Sequence, residues 1–183
     1  MNVRSTFTLV PDVVDLVADR APDTLVLAAG GVTDGRGLAA ALALGADGAL
    51  VGTRFWASPE ALVSPRAHER ALTAGGDDTV RTGAYDLVRR LDWPAGYNAR
   101  ALGNAFLDKW HSNEGQLAAS LPEAVSDYEK AVAAEDFDSA AILVGEGVGL
   151  VRRVRPAAEI VANMVEQAGR ILNRATGPGS VQG

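Results

Sequence analysis

The sequence predicts an α/β fold in which two buried parallel strands are joined by a helix. Leu25–Ala28 and Ala49–Val51 are short apolar runs without alternation, which is typical of strands covered on both faces. Between them, Asp34 can cap a helix and Gly45 can end it. The segment from Thr24 to Trp56 therefore predicts one compact βαβ unit with a right-handed crossover.

A helix is predicted before this unit. Apolar residues recur at helical spacing over 9–20, and Pro11 and Asp12 suit a first turn. The apolar positions are Leu9, Val13, Leu16 and Val17. We expect residues 1–8 to form a loop.

Each predicted strand is followed by a glycine-containing turn, at 29–31 and at 52–54. A backbone without Cβ can approach an anion closely, and the helix N-termini that follow offer unpaired N–H groups. In a (β/α)8 barrel, the loops after the last two strands commonly form such a phosphate site. We therefore predict a phosphate cradle made of Gly30, Gly31, Gly52 and Thr53, with the Thr53 hydroxyl as a further donor. The alternative is two ordinary strand-to-helix turns, in which glycine is common.

Arg54 has two interpretations. Its guanidinium could add positive charge to the cradle, or it could form an ion pair with Asp34 or Glu60. It is therefore not included among the predicted site residues.

The region after Phe55 is predicted to be mainly helical. Thr79–Tyr85 could be extended and 91–98 is irregular, because it contains Pro94 and Gly96. Helices are predicted at 60–62, 65–72, 104–111, 122–133 and 156–172.

Composition excludes several functional classes. The net charge is −6 and no basic cluster is dense, so nucleic acid is not an expected partner. The chain has no cysteine, which excludes disulfides, thiolate catalysis and cysteine metal sites. The N-terminal residues lack the apolar core of a signal peptide, and no apolar run is long enough to span a membrane. We therefore expect a cytoplasmic protein with no membrane partner.

Other candidate sites are weaker. Gly145–Gly149 has a dinucleotide-like spacing, but Leu150 stands where the third glycine belongs, so we interpret it as a flexible loop. His68 and His111 have no metal-ligand spacing, and no metal site is predicted. For Arg100 and Asn104 we favour structural roles.

Three segments resemble the nitronate monooxygenase (2-nitropropane dioxygenase) family, whose members are FMN-dependent TIM barrels. They are AAGGVTDGRG at 28–37, LGADG at 44–48 and GTRF at 52–55. A weaker similarity continues to about residue 171. Flavin-dependent enoyl-acyl-carrier-protein reductases carry a very similar glycine run.

The resemblance implies the C-terminal portion of a TIM (β/α)8 barrel, containing its last two strands, followed by a mainly helical region. The implied organisation is a partial FMN-binding barrel at 1–62, a helical extension packing on it at 63–176 and a disordered tail at 177–183. A barrel usually needs ~250 residues, so the 183 residues imply a truncated or split form. Its partner would be a complementary N-terminal half-barrel chain or a second copy.

The implied reaction converts an alkyl nitronate and O2 to a carbonyl compound and nitrite, with FMN as cofactor. The family's Gly-Gly-His-x-Gly motif, which carries the catalytic histidine, has no counterpart in this sequence, so no catalytic residue is assigned. The alternatives are an enoyl-acyl-carrier-protein reductase-like protein and a catalytically inactive half-barrel that self-associates.

Overall fold

The computed structural model describes residues 4–94 and 96–175, which form two compact units. Unit 1 contains the described residues up to Leu62 and those from Arg153 onward, and unit 2 is Val63–Arg152. The predicted tail at 177–183 lies outside the described residues.

The helices and strands follow one another along both units. In chain order they are α1 (Thr6–Arg20), β1 (Leu27–Ala29), α2 (Gly35–Ala43), β2 (Gly48–Leu50), α3 (Thr53–Trp56), α4 (Pro65–Leu72), β3 (Thr79–Thr82), α5 (Ala84–Val88), β4 (Ala99–Leu102), α6 (Ala105–Trp110), α7 (Glu114–Ala119), α8 (Leu121–Ala133) and α9 (Ala157–Ala175). Short 3-10 helices lie at Pro59–Ala61, Gly76–Asp78 and Glu146–Leu150.

The predicted βαβ unit is confirmed in unit 1. Strands β1 and β2 are parallel, with Ala28 opposite Ala49. The Asp34 carboxylate caps α2 by accepting hydrogen bonds from the amides of Arg36 and Gly37, as its side-chain chemistry predicts. Gly45 follows α2 with a φ of +91°, a conformation that glycine adopts without strain.

The prediction that both strands are buried on both faces is wrong. Ala28 is 1 % exposed, but Leu27 and Leu50 are 56 % and 65 % exposed. Side chains alternate along a strand, so Leu27 and Leu50 share the face opposite Ala28. Among the described residues, the sheet has two strands only, and nothing covers this face as a barrel interior would. We call Leu27 and Leu50, with the exposed Leu25, the open sheet face.

Helices cover the other face of the sheet. Val10 of α1 and Ala41 of α2 pack with Ala28. Ile160 and Met164 of α9 pack with Val32, which follows β1. The predicted helix at 156–172 is thus confirmed as α9, whose buried stripe holds unit 1 together.

The start of α1 differs from the prediction. Thr6, Phe7 and Thr8 are helical rather than in a loop, and Pro11 lies inside the helix. A proline ring lacks an N–H donor, so α1 forgoes one hydrogen bond at this point.

Unit 2 contains an antiparallel pair, β3 and β4, in which Arg81 lies opposite Arg100. The extended prediction at 79–85 holds for Thr79–Thr82, after which the chain turns into α5. Strand β4 was not predicted. Tyr85, at the centre of the core of unit 2, is fully buried and stacks on Phe106 with ring centroids 4.8 Å apart.

The helix predictions for unit 2 are largely confirmed. Helix α4 matches 65–72, α6 begins after an Asn104 cap, and α8 covers 122–133. Gly145–Gly149 is not a loop, because most of it forms a 3-10 helix. A Cβ added to Gly149 would lie 2.6 Å from the amide nitrogen of Gly76, so this segment packs closely on Gly76.

Candidate functional site

The two glycine turns leave the same edge of the β1–β2 pair. Ala29 lies opposite Leu50 in the parallel register. Gly30 and Gly31 follow Ala29 directly, and Gly52 follows Leu50 after one residue. Since parallel neighbours end at one edge, the structure brings the predicted cradle residues to a common side of the sheet.

The backbone faces open space at one glycine of each turn. A Cβ added to Gly31 or Gly52 would meet no heavy atom within 4 Å. Gly30 and Gly31 have φ values of +95° and +77°, which other residues rarely adopt. The Thr6 hydroxyl lies 3.0 Å from the carbonyl oxygen of Ala29 and 2.9 Å from that of Gly30, so it can donate to either and ties α1 to the first turn. Among the described residues, the positions in front of Gly31 and Gly52 leave room for a phosphate group, whereas the Thr6 hydroxyl oxygen lies 3.2 Å from the Cβ position of Gly30.

Contrary to the prediction, the first backbone amides of α2 are not free to bind an anion at this site. Its first amide, from Gly35, donates to Gln167 Oε1 at 2.8 Å. The amides of Arg36 and Gly37 donate to the Asp34 carboxylate. The protein's own groups therefore take up the donors that were predicted to face an anion.

Arg54 adds positive charge beside the second turn. Its Nη1 donates to the carbonyl oxygen of Arg153 at 3.0 Å. Burial lowers the pKa of Arg54, and the charges of Arg155 and Arg153 lower it further. A half-buried cation beside like charges is stabilised by a nearby anion.

The proposed ion pairs of Arg54 with Asp34 or Glu60 are not formed. Asp34 pairs with Arg36, at 2.6 Å. Glu60 accepts a hydrogen bond from the amide of Ala157. Both carboxylates are thus engaged elsewhere in unit 1.

Asn104 has the structural role that was favoured from the sequence. Its Oδ1 accepts hydrogen bonds from the Leu107 amide and the Tyr85 hydroxyl. Its Nδ2 donates to the carbonyl oxygens of Phe137 and Ala140. The side chain therefore joins three segments of unit 2.

Neither a metal cluster nor a membrane span is found in the part of the chain that the structure describes. No group of three or more His, Cys, Asp or Glu in the described ranges could hold a metal ion. No helix in the same ranges has the length and apolar character needed to cross a bilayer.

Sequence reasoning missed Asp86. This residue of α5 is only 7 % exposed, and neither carboxylate oxygen has a hydrogen-bond partner of ordinary geometry among the described residues. Burial raises its pKa, while the Ala99 amide and the charge of Arg89 partly oppose that rise. Trp93 and Tyr97, which the sequence alone did not connect, line the same cleft as Asp86. No sequence signal identifies one buried carboxylate among the many acidic residues.

The raised pKa of Asp86 predicts a pH dependence of stability. Between its unfolded and folded pKa values the native state binds more protons, so stability falls as pH rises through that window. Compared with an Asp86→Asn variant, the wild type should lose stability as pH rises above the ordinary titration range of an aspartate. Urea unfolding at several pH values measures this difference. The exposed neighbour Asp92→Asn is the control, and an equal difference for both variants would contradict the prediction.

Comparison with known proteins shows which family this chain is similar to. A family model described as nitronate monooxygenase matches residues 1–167. Nitronate monooxygenase npaC of Metarhizium robertsii is 37 % identical over 177 residues, which is 93 % of this chain and 48 % of that protein. The chain thus spans about half the length of the curated relatives it matches.

The solved structures that match also cover most of this chain and about half of their own length. FabK from Thermotoga maritima matches with a TM-score of 0.78 and 32 % identity, over 97 % of this chain and 53 % of that chain. Nitroalkane oxidase from Streptomyces ansochromogenes matches with a TM-score of 0.72 and 28 % identity, over 93 % of this chain and 45 % of that chain.

Proposed function

Because this chain belongs to the nitronate monooxygenase family, we propose that it forms part of an FMN-dependent enzyme that oxidises alkyl nitronates with O2. The products are a carbonyl compound and nitrite. The observation that carries the proposal is the pair of glycine turns, which leave one edge of a parallel sheet with open space in front of Gly31 and Gly52.

We assign the phosphate of FMN to the two turns. Gly30 and Gly31 would bind it from one side, and Gly52 and Thr53 from the other. Arg54 would add positive charge beside the second turn, because its half-buried guanidinium lies near two like charges. Backbone groups held by a rigid sheet orient a cofactor better than flexible side chains do.

FMN, when bound, supplies the electron acceptor that this oxidation needs, and the protein supplies binding, orientation and exclusion of water. We assign no catalytic residue in this chain. His68 and His111 lie outside any Gly-Gly-His-x-Gly motif.

We further propose that β1 and β2 are the last two strands of a (β/α)8 barrel. In such a barrel, helices cover the outer face and side chains fill the interior. Here helices cover the Ala28 face, while Leu27 and Leu50 stay exposed, as the inward face of an unclosed barrel would be. The remaining strands would come from sequence beyond these residues, from a complementary half-barrel chain, or from a second copy.

FMN titration tests the phosphate assignment. We expect the wild-type chain to bind FMN at least tenfold more tightly than riboflavin, because only FMN carries the phosphate, and tenfold corresponds to about 1.4 kcal/mol. Flavin fluorescence measures both affinities. Equal affinities would contradict the assignment, and submicromolar FMN binding by the chain alone would contradict the need for further strands.

A Gly52→Leu variant tests whether the phosphate binds at the second turn. Gly52 has a φ of −95° and open space at its Cβ position, so leucine fits the backbone while filling the approach to the turn. We expect FMN binding to weaken at least tenfold with an unchanged melting temperature. Gly83→Leu is the matched control, because Gly83 also precedes a short helix, with φ −90°, and faces open space.

A flavin-dependent enoyl-acyl-carrier-protein reductase is the second candidate. Such enzymes carry very similar glycine turns. Two structures of FabK from Thermotoga maritima match this chain with TM-scores of 0.78 and 0.68, against 0.72 for nitroalkane oxidase. Stopped-flow measurements on the FMN-loaded protein distinguish the two. Rapid flavin reduction by NAD(P)H without a response to nitronates would favour the reductase.

A non-catalytic half-barrel that self-associates is the third candidate, and the open sheet face supports it. Leu27 and Leu50 would be buried between two copies. A stable dimer in sedimentation experiments that binds no flavin would favour this alternative.

A further inference from the structure

Thr6, the first residue of α1, contacts the first glycine turn through its side chain. Its hydroxyl oxygen lies 3.0 Å from the carbonyl oxygen of Ala29 and 2.9 Å from that of Gly30. A hydroxyl carries one hydrogen, so it donates to one of these two oxygens at a time. The phosphate assignment above gives this side chain no role, although it lies at the cradle.

The position of these carbonyl oxygens determines where the amides of the turn point. The peptide bond between Gly30 and Gly31 is trans, and in a planar trans peptide the N–H points away from the C=O. Since the Gly30 oxygen faces Thr6, the Gly31 N–H points away from Thr6. The same argument places the Gly30 N–H opposite the Ala29 oxygen. A hydroxyl shared by the two oxygens therefore restrains two successive peptide planes.

The Gly31 amide is the donor that this orientation leaves open. Among the described residues it forms no hydrogen bond, and a Cβ added to Gly31 would meet no heavy atom within 4 Å. An unrestrained pair of glycines can adopt many peptide orientations. An orientation that turns the Gly30 oxygen outward would repel a phosphate. A hydrogen bond to that oxygen therefore favours the orientation that presents an N–H to an anion.

The Thr6 hydroxyl acts through the turn and not on the anion. Its hydrogen is taken up by the carbonyl oxygens of Ala29 and Gly30. Its remaining lone pairs are acceptors, and a phosphate oxygen is an acceptor as well. Thr6 is therefore suited to position the turn, whereas backbone amides make the contact with the ligand.

We propose that Thr6 is a positioning residue of the phosphate cradle. Its hydroxyl holds the Ala29 and Gly30 carbonyl oxygens so that the first turn presents the Gly31 N–H to the phosphate of FMN. This inference rests on the proposed function, because it needs a phosphate at the turn. The hydroxyl should then strengthen the binding of FMN and leave unchanged the binding of riboflavin, which lacks the phosphate.

Flavin titrations of three variants test this role. Thr6→Val removes the hydroxyl and keeps the β-branched shape, and we expect it to weaken FMN binding about fivefold, as the loss of one hydrogen bond does. Its riboflavin affinity should stay at the wild-type value. Thr6→Ser keeps the hydroxyl and should bind both flavins as the wild type does. Thr8→Val is the matched control, because the Thr8 hydroxyl donates to the carbonyl oxygen of Ser5 at the start of the same helix.

The outcomes separate this inference from the proposed function. If the wild type prefers FMN to riboflavin but Thr6→Val binds FMN as tightly as Thr8→Val does, the inference is overturned and the phosphate assignment stands. If Thr6→Val weakens the binding of both flavins equally, its hydroxyl supports the fold and not the cradle, which also overturns the inference. If the wild type shows no preference for FMN, the phosphate assignment fails and this inference fails with it.

The orientation of the turn is also measurable without flavin. Nitrogen-15 relaxation of the full chain gives the order parameter of the Gly31 amide, which is about 0.85 in rigid backbone and below about 0.6 in flexible backbone. We expect the value of rigid backbone in the wild type and in Thr6→Ser, and a lower value in Thr6→Val. An order parameter that Thr6→Val leaves unchanged would overturn the proposal.

Discussion

An Asn104→Asp variant is expected to lose about 3 kcal/mol or more of unfolding free energy, because it leaves buried groups without partners. The Nδ2 group of Asn104 donates to Phe137 and Ala140 at 3.0 and 3.1 Å. In aspartate, an oxygen would face these two carbonyl oxygens, and a charge would be buried where Asn104 is only 7 % exposed. Urea unfolding at pH 7, followed by circular dichroism, measures the loss.

Two controls accompany this prediction. Asn98→Asp should change stability by less than about 0.5 kcal/mol, as surface substitutions usually do, because Asn98 accepts a hydrogen bond from Arg81 through Oδ1, and aspartate retains that oxygen. Tyr85→Phe removes one donor to Asn104 and should cost about 1 kcal/mol. If Asn104→Asp were no worse than Asn98→Asp, Asn104 would not hold unit 2 together.

Local chemistry made the βαβ unit predictable. Asp34 caps α2 because a carboxylate before a helix accepts backbone N–H groups. Gly30 and Gly31 stand where the backbone takes positive φ values, which glycine signals in a sequence. These features depend on a few adjacent residues, so the sequence alone carries them.

Features set by distant residues were not predictable. The side chain of Gln167 accepts a hydrogen bond from the first amide of α2, which is 132 residues away in the sequence. No local sequence pattern predicts that contact. Strand β4 has the sequence ARAL, which is too short and mixed to indicate a strand. Leu27 and Leu50 look like buried strand residues, yet their exposure depends on which other strands are present.

The candidate functional residues were likewise predictable only where the sequence signal is local. The cradle glycines were found because a glycine turn after a strand is a local signal, whereas the cleft around Asp86 required tertiary information. Asp86 and Leu143 line one cleft although they are far apart in sequence. A carboxylate in a helix is ordinarily solvated, so only the structure distinguishes Asp86 from its neighbours.

The second large effect is expected at Gly35, where α2 meets α9. A Cβ at this position would lie 2.5 Å from Gln167 Cβ and from the carbonyl oxygen of Met164. Two of the three nearest contacts are backbone atoms of α9, which cannot rotate away as a side chain can. Gly35→Ala should therefore force the helices apart and cost about 2–3 kcal/mol, within the range for overpacked sites.

Gly169→Ala is the matched control, because Gly169 lies within α9 and its Cβ position meets no atom within 4 Å. Alanine at an open helical position should stabilise the protein by about 0.5–1 kcal/mol relative to glycine. A glycine-to-alanine substitution should thus destabilise the protein at Gly35 and stabilise it at Gly169. Thermal and urea unfolding measure both. Stabilisation by Gly35→Ala would contradict the close contact between α2 and α9 at this position.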